Sequence, residues 1–297
     1  MRFAVLGGDV REKEAARYLW EQGVSLSLWG LEWEGDDPRV QAFSEASRAL
    51  EGAQAVLAPV KGLDARNALY GAGDLVLTSE DLGALEPGTP FFIGRANSWL
   101  RGEAKKRGFR LIELLERDDF SIYNSIPTAE GAIGKAMAES DVCLFGSQCF
   151  VLGFGRTGQT IARALAGLGA RVTACSRDRG ELARAYTLGY RTLPLSRLAD
   201  HLEEADFVFN TIPALVLTGE KLSLTRPEVV IVDIASAPGG TDFAAARELD
   251  RKAFLVPGLP AKVAPRTAGR LLGQVVFELA GEMTSPALES WSGMTRQ

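Results

Sequence analysis

The sequence predicts an α/β protein of two doubly wound domains, the second a Rossmann dinucleotide-binding domain, with a C-terminal helix that returns to the first. Three observations carry this. Short β-branched apolar runs alternate with longer stretches of helical periodicity, the pattern of parallel sheets covered by helices on both faces. The glycine-rich turn "VLGFGRTG" occupies residues 151–158, halfway down a chain of 297 residues. At roughly 100–200 residues per domain, that length provides two hydrophobic cores.

Taken in order, "RFAVLG" reads as a strand, "REKEAARYLWEQG" as a helix closed by Gly23, and "SLSLW" as a second strand. "AVLAP", "PFFIG" and "FRLIELL" are further strands, with "SWLRGEAKKRG" as a helix between the last two. "YNSIPTAEGAIGKAMAES" reads as a linking helix started by Pro127 and Thr128, with Ile133, Ala136 and Met137 on one face. The second half opens with the strand "CFVLGFG" and the helix "TIARALAGLG", then the strand "RVTACS" and helices "ELARAYTLG" and "SRLADHLEEA". Strands "DFVFNTIP", "VVIVDIAS" and "AFLVPG" follow, with a helix at "DFAAARELD" before the last. Beyond "PGLPAKVAP", Ala268, Leu271, Leu272, Val275, Val276 and Leu279 recur at helical spacing, which gives the returning helix. The expected boundaries are 1–125 for the first domain, completed by about 264–297, and 126–263 for the second.

Composition excludes several classes. A net charge of -5 and the absence of like-charge blocks give no positive field for nucleic acid. No apolar run approaches the ~20 residues of a membrane-spanning helix. "MRFAVLGGDV" ends in glycines rather than in a cleavage site, and reads as a first strand instead of a signal peptide. Cys143, Cys149 and Cys175 are odd in number and lack metal-ligand spacing, so they are expected to be reduced thiols and no metal site is expected. Together these features describe a soluble, intracellular protein.

The central motif is Gly-x-Gly-x-x-Gly. Gly153 allows the tight turn, Gly155 lets the backbone approach a pyrophosphate, and Gly158 lets helix pack closely on strand. Phe154, Arg156 and Thr157 complete the turn, and the N–H groups at the helix start face the anion. The next strand ends at Ser176 and Arg177, where an NAD site usually places an acid for the ribose 2′-hydroxyl. A hydroxyl beside a guanidinium suits a 2′-phosphate, so NADP is favoured, with NAD the alternative if Asp178 is the acid in a shifted register. Asn210, Thr211, Ile212 and Pro213, with Ala235 and Ser236 in "DIASAPGG", lie at carboxyl ends of later strands and are expected to wall the nicotinamide.

The first half carries no second fingerprint, because Gly7 and Gly8 are adjacent and no third glycine follows. That turn still offers backbone N–H groups around Gly8 and Asp9, with Arg11 near for a carboxylate. "LLERDDFSIYNSIPTAEG" crowds Arg117, Asp118, Asp119, Tyr123, Asn124, Ser125, Thr128 and Glu130 at the expected junction of domains, where a substrate cleft is expected. Structural roles compete for each: Thr128 as a helix cap, the aspartates as surface charges, Arg117 as an ion-pair partner. The lone histidine, His201, reads as a solvated helix residue rather than an acid–base group.

"GGDVREKEAARYL", "ERDDFSIYNSIPTAEGAI", "GSQCFVLGFGRTGQTIARALAGLGA", "NTIPALVL", "DIASAPGGTDF" and "PGLPAKVAPRTAGRLL" together resemble the dipicolinate synthase A-subunit family of spore-forming bacteria. The resemblance implies NADP-dependent oxidation of a dihydrodipicolinate-type ring during sporulation, in the mother-cell cytoplasm, with a partner that is a flavoprotein-like B subunit. A doubly negative ring requires cationic or N–H clamps, for which the turn at Gly8, Asp9 and Arg11, then Arg117, Ser125, Thr128, Lys262 and Arg266 are the candidates. Asp119, Glu130 and Lys262 are the candidate proton acceptors. The alternatives are a dehydrogenase for another small carboxylate, or an NADP-binding regulatory or scaffold protein without turnover of its own; a homo-oligomer is compatible with either.

Overall fold

The computed structural model describes residues 1–71 and 73–284. The part of the returning segment at 285–297 lies outside the described residues. The chain divides into two compact units, one of Met1–Ser121 plus the chain from Pro265 onward, the other Ile122–Ala264.

The first unit runs β1 (Arg2–Leu6), α1 (Val10–Glu21), β2 (Ser25–Trp29), β3 (Val40–Phe43), α2 (Ala46–Leu50), β4 (Ala55–Leu57), β5 (Pro90–Ile93), α3 (Ser98–Arg107) and β6 (Arg110–Glu113). All pairings are parallel, and the six-stranded sheet has the order β3-β2-β1-β4-β5-β6. Phe3, Ala4, Val5 and Leu6 are all fully buried. Such an unbroken apolar run, rather than an alternating one, is what a strand covered on both faces requires. β3 has no such run: "VQAF" is half exposed at the sheet edge, which is why its sequence carries no strand signal.

The second unit runs β7 (Gln148–Leu152), α5 (Arg156–Gly167), β8 (Arg171–Ser176), α6 (Arg179–Thr187), β9 (Arg191–Pro194), β10 (Phe207–Asn210), α7 (Gly219–Ser223), β11 (Val230–Asp233), α8 (Phe243–Glu248), β12 (Lys252–Leu255) and α9 (Leu259–Val263). Its parallel sheet has the order β12-β11-β10-β7-β8-β9. Renumbered from its first strand, this is the same connectivity as the first sheet. The stretch Leu195–Glu204, read from sequence as an α-helix, is a 3-10 helix that buries Leu198 and Leu202. α10 (Pro265–Thr284) then packs on α1 of the first unit.

The linking helix differs from the sequence expectation. The helix α4 (Asp118–Ala138) starts nine residues before Pro127 and carries that proline inside it. Thr128 therefore caps nothing; its Oγ1 donates to the Asn124 carbonyl 2.8 Å away, one turn back in the same helix. Proline contributes no N–H at that turn, and the flanking apolar positions still bury Ala129, Ala132 and Ala136, so packing carries the helix through.

Candidate dinucleotide site

The second unit places its glycine turn at the topological switch point. β7 lies between β10 and β8, and Asn210 pairs with Leu152 in register, so the turn after β7 and the loop after β10 leave the sheet side by side. Carboxyl ends of strands at such a point are where open α/β sheets bind ligands. Gly153 has φ +87°, a conformation that disfavours side chains, and an added Cβ would overlap Thr211 Oγ1. A Cβ on Gly158 would overlap the Gly153 carbonyl oxygen. Gly155 caps α5 without using a side chain. The turn therefore fits the close approach of a pyrophosphate, and Gly153, Gly155, Thr211, Ile212, Pro213 and Arg177 line a cavity of about 570 Å³ beside it.

The remaining turn residues divide by role. Phe154 is a core residue, fully buried and edge-on to Tyr190 with ring centroids 5.9 Å apart, so only its backbone reaches the cavity side. Arg156 is exposed and Thr157 half-buried, as the first two residues of α5. Asn210 is fully buried and turns back on its own loop: its amide donates to the Ile212 carbonyl at 3.1 Å and its Oδ1 accepts from the Ile212 N–H at 3.1 Å. Thr211 Oγ1 likewise donates to the Leu152 carbonyl at 2.9 Å. These two side chains shape the loop, while Ile212 and Pro213 present surface to the cavity.

One organiser was missed in the sequence. Asp233, fully buried, accepts from the Ala235 N–H (3.1 Å), the Gly240 N–H (2.8 Å) and the Thr241 hydroxyl (2.8 Å). It thereby folds the "DIASAPGG" loop, in which Ala235 is buried and Ser236 exposed. An acid followed by a Gly-Gly-Thr six to eight residues on was the available signal.

At the end of β8, Ser176 lines the cavity with its hydroxyl already engaged. Its hydroxyl does not face the cavity as an unused donor: it donates to Glu181 Oε2 at 2.6 Å and accepts from the Asp178 N–H at 3.0 Å. The same Glu181 oxygen accepts from the Phe154 N–H at 3.2 Å. An anion is thus already accommodated on the turn, supplied by the chain itself. Asp178 is the N-cap of α6, accepting from the Glu181 N–H at 2.8 Å, and Arg177 is exposed at the cavity rim.

The first unit's glycine turn is closed. Glu12 is fully buried and accepts from the Asp9 N–H (2.7 Å) and the Val60 N–H (2.8 Å). A Cβ on Gly8 would overlap the Glu12 side chain, and one on Gly71 would come within 2.7 Å of the Gly8 carbonyl oxygen. Arg11 is buried and gives Nε and Nη2 to Asp9, both at 2.9 Å. Asp9 is therefore bound to both Arg11 and Glu12, and the Glu12 side chain packs over Gly8, so the groups expected to meet a small anion are already engaged within the turn. Burial pushes the Glu12 carboxyl up to about 7, against the lowering charge of Arg11.

Around the expected junction, Arg117 binds Asp119 at 2.7 Å, and that hydrogen bond holds the Asp119 carboxyl below its ordinary range. Low proton affinity is the wrong direction for a base working near neutrality. Ser125 is buried and bonds to Thr160 Oγ1 at 2.6 Å and to the Ile122 carbonyl at 2.6 Å, a contact of α4 on α5. Glu130, Lys262 and Arg266 are exposed. His201, on the 3-10 helix, is hydrogen-bonded to Glu204 at 2.7 Å and to Arg191 of β9 at 3.1 Å. Among the described residues no group of three His, Cys, Asp or Glu side chains is placed to hold a metal, and no helix is long and apolar enough to cross a membrane.

The fold and the turn define a nicotinamide-dinucleotide-binding protein of the dehydrogenase class. Residues 128–252 match the family described as the D-isomer specific 2-hydroxyacid dehydrogenase NAD binding domain. The apo-structure of D-lactate dehydrogenase from Escherichia coli has the same fold, with a TM-score of 0.64 at 16% identity over 96% of this chain and 99% of that one. Residues 2–115 match the N-terminal domain of the dipicolinate synthase A subunit. The A subunit of dipicolinate synthase from Bacillus subtilis (strain 168) is 37% identical over 95% of this chain and 97% of its own length. The crystal structure of the A subunit from Bacillus halodurans superposes with a TM-score of 0.87 at 36% identity, over 96% of this chain and 98% of that one. The chain belongs to the dipicolinate synthase A-subunit family.

Proposed function

We propose that this chain is the dehydrogenase component of a dipicolinate-forming enzyme, oxidising a dihydrodipicolinate-type ring with NADP in the cytoplasm of a sporulating cell. It works beside a flavoprotein-like B subunit. The observation that carries this reading is the cavity at the Gly153 turn, within a chain 95% of which aligns with the A subunit of dipicolinate synthase. Oxidation removes a hydride and a proton from the ring, and aromatisation makes the loss downhill. When bound, the nicotinamide supplies the hydride acceptor. The protein's own residues supply orientation and a place for the proton.

Lys262, exposed on α9, is proposed as a cation for a substrate carboxylate. Glu130 is the proposed proton acceptor. It is preferred to Asp119, whose carboxylate is committed to Arg117. Arg177 is the proposed partner of the 2′-phosphate.

The test is to mix the purified chain with NADP and dihydrodipicolinate, with and without a B subunit, and follow both reduced nicotinamide and dipicolinate by absorbance. Equimolar appearance of the two supports the reading; neither product in either mixture overturns it. Lys262→Ala should raise the substrate KM about tenfold or more, the loss of roughly one charge-assisted contact, while leaving the NADP dissociation constant within about twofold.

A further inference from the structure

We propose that Glu181 is an internal competitor for the cofactor's 2′-phosphate and sets the balance between NADP and NAD. This rests on reading the cavity at Gly153 as the dinucleotide site. Glu181 is the third residue of α6, and its backbone is fixed by the Asp178 cap, which accepts its N–H at 2.8 Å. From there its side chain turns back over the end of β8. One carboxylate oxygen takes the Ser176 hydroxyl proton at 2.6 Å and the Phe154 N–H at 3.2 Å. The other faces the turn, such that a Cβ on Gly155 would lie 3.7 Å from it. Glu181, Ser176, Arg177 and Asp178 all line the one cavity.

Ser176 is 3% exposed and has a single hydroxyl proton, which Glu181 holds; its oxygen already accepts from the Asp178 N–H. A 2′-phosphate that accepts from Ser176 must therefore displace the carboxylate from that hydroxyl. Two anions cannot share one proton donor without mutual repulsion, and at a half-buried position that repulsion is only partly screened. A ribose 2′-hydroxyl meets the opposite situation, because it can donate to the carboxylate where it stands. Arg177 on the rim thus favours the phosphate and Glu181 favours the hydroxyl. Cofactor choice is the difference between these two affinities, with Glu181 as its repulsive element.

The experiment is calorimetric titration of the full chain with NADP and with NAD, and with adenosine 2′,5′-bisphosphate and ADP as fragments lacking nicotinamide. Glu181→Gln and Glu181→Ala are expected to shift the NADP-to-NAD affinity ratio about tenfold or more toward NADP, and the fragment ratio in the same direction. Arg177→Ala should shift both ratios the other way. The near-isosteric glutamine variant, checked for an unchanged melting temperature, separates charge from misfolding. Both cofactors bound with the ratio unmoved, or moved toward NAD, in the two Glu181 variants overturns the proposal for Glu181 alone. A wild-type chain that binds neither dinucleotide overturns the reading of the cavity itself.

Discussion

A single carboxylate stands at each glycine turn, buried at the first and half-buried at the second. Glu12 fills the first unit's turn, and burial raises its carboxyl from an ordinary 4.5 to about 7. The folded protein then holds this proton to higher pH than the unfolded chain does. Its stabilising contribution is complete below about 4.5 and is lost as the pH rises through about 7. The melting temperature should accordingly fall between about pH 5 and pH 8, by an amount on the order of 1–3 kcal/mol of stability, and the slope should flatten in Glu12→Gln. An equal slope in the variant would remove Glu12 as its source. In the second unit, Gly158→Ala sets a methyl against the Gly153 carbonyl and should weaken binding of either dinucleotide by about tenfold or more in a titration. Gly153 and Gly158 were legible because backbone sterics within one turn demand them, whereas Gly155, where a Cβ would meet only an ordinary contact, was legible from the motif spacing. Glu181 was not, since β7 and β8 must lie side by side to bring it the Phe154 N–H, and Asp233 was not, since its partners meet it only through the fold of its own loop.

At the scale of elements, the closest packing lies between α1 and α10. Gly269 and Gly273 stand one turn apart on α10; a Cβ on the first would overlap the Glu14 side chain, and one on the second would lie 2.9 Å from the Ala15 carbonyl oxygen. Small residues at this spacing let two helix backbones approach, and Leu272, Val275 and Val276 then bury against Ala15, Ala16 and Leu19. Gly269→Val should force the pair apart and cost about 1–3 kcal/mol, read as a lower denaturant midpoint. The strands with continuous apolar runs were legible, β1, β5, β10 and β11 among them, because a parallel strand is buried on both faces. The edge strands β3 and β9 were not, being half exposed and short. The start of α4 was displaced for another reason: Pro127 looks like a helix start wherever tertiary packing does not carry the helix through it.

Across the whole chain, the two sheets repeat one connectivity and diverge at the turn after their first strands. One turn is closed by Glu12 and by the loop over Gly8; the other opens on a cavity of about 570 Å³. The cysteines report on the integrity of the second unit. Cys143 is exposed, whereas Cys149 and Cys175 lie in strands, where burial pushes the Cys149 thiol up to about 11 and the Cys175 thiol upward as well. A thiol reagent should label one cysteine of the native chain and all three after unfolding. Rapid labelling of more than one in the native protein would contradict the burial of these strands.

The sequence by itself determined the α/β class, most strand and helix positions, and the glycine turn, because periodicity and backbone sterics are local properties. Only the tertiary structure decided which polar groups meet across the chain: that Glu12 takes the Val60 N–H, Glu181 the Phe154 N–H, and the Leu152 carbonyl the hydroxyl of Thr211. Hydrogen-bond and charge partners depend on distances between segments that a linear pattern does not encode, and a buried donor takes the acceptor that folding brings nearest.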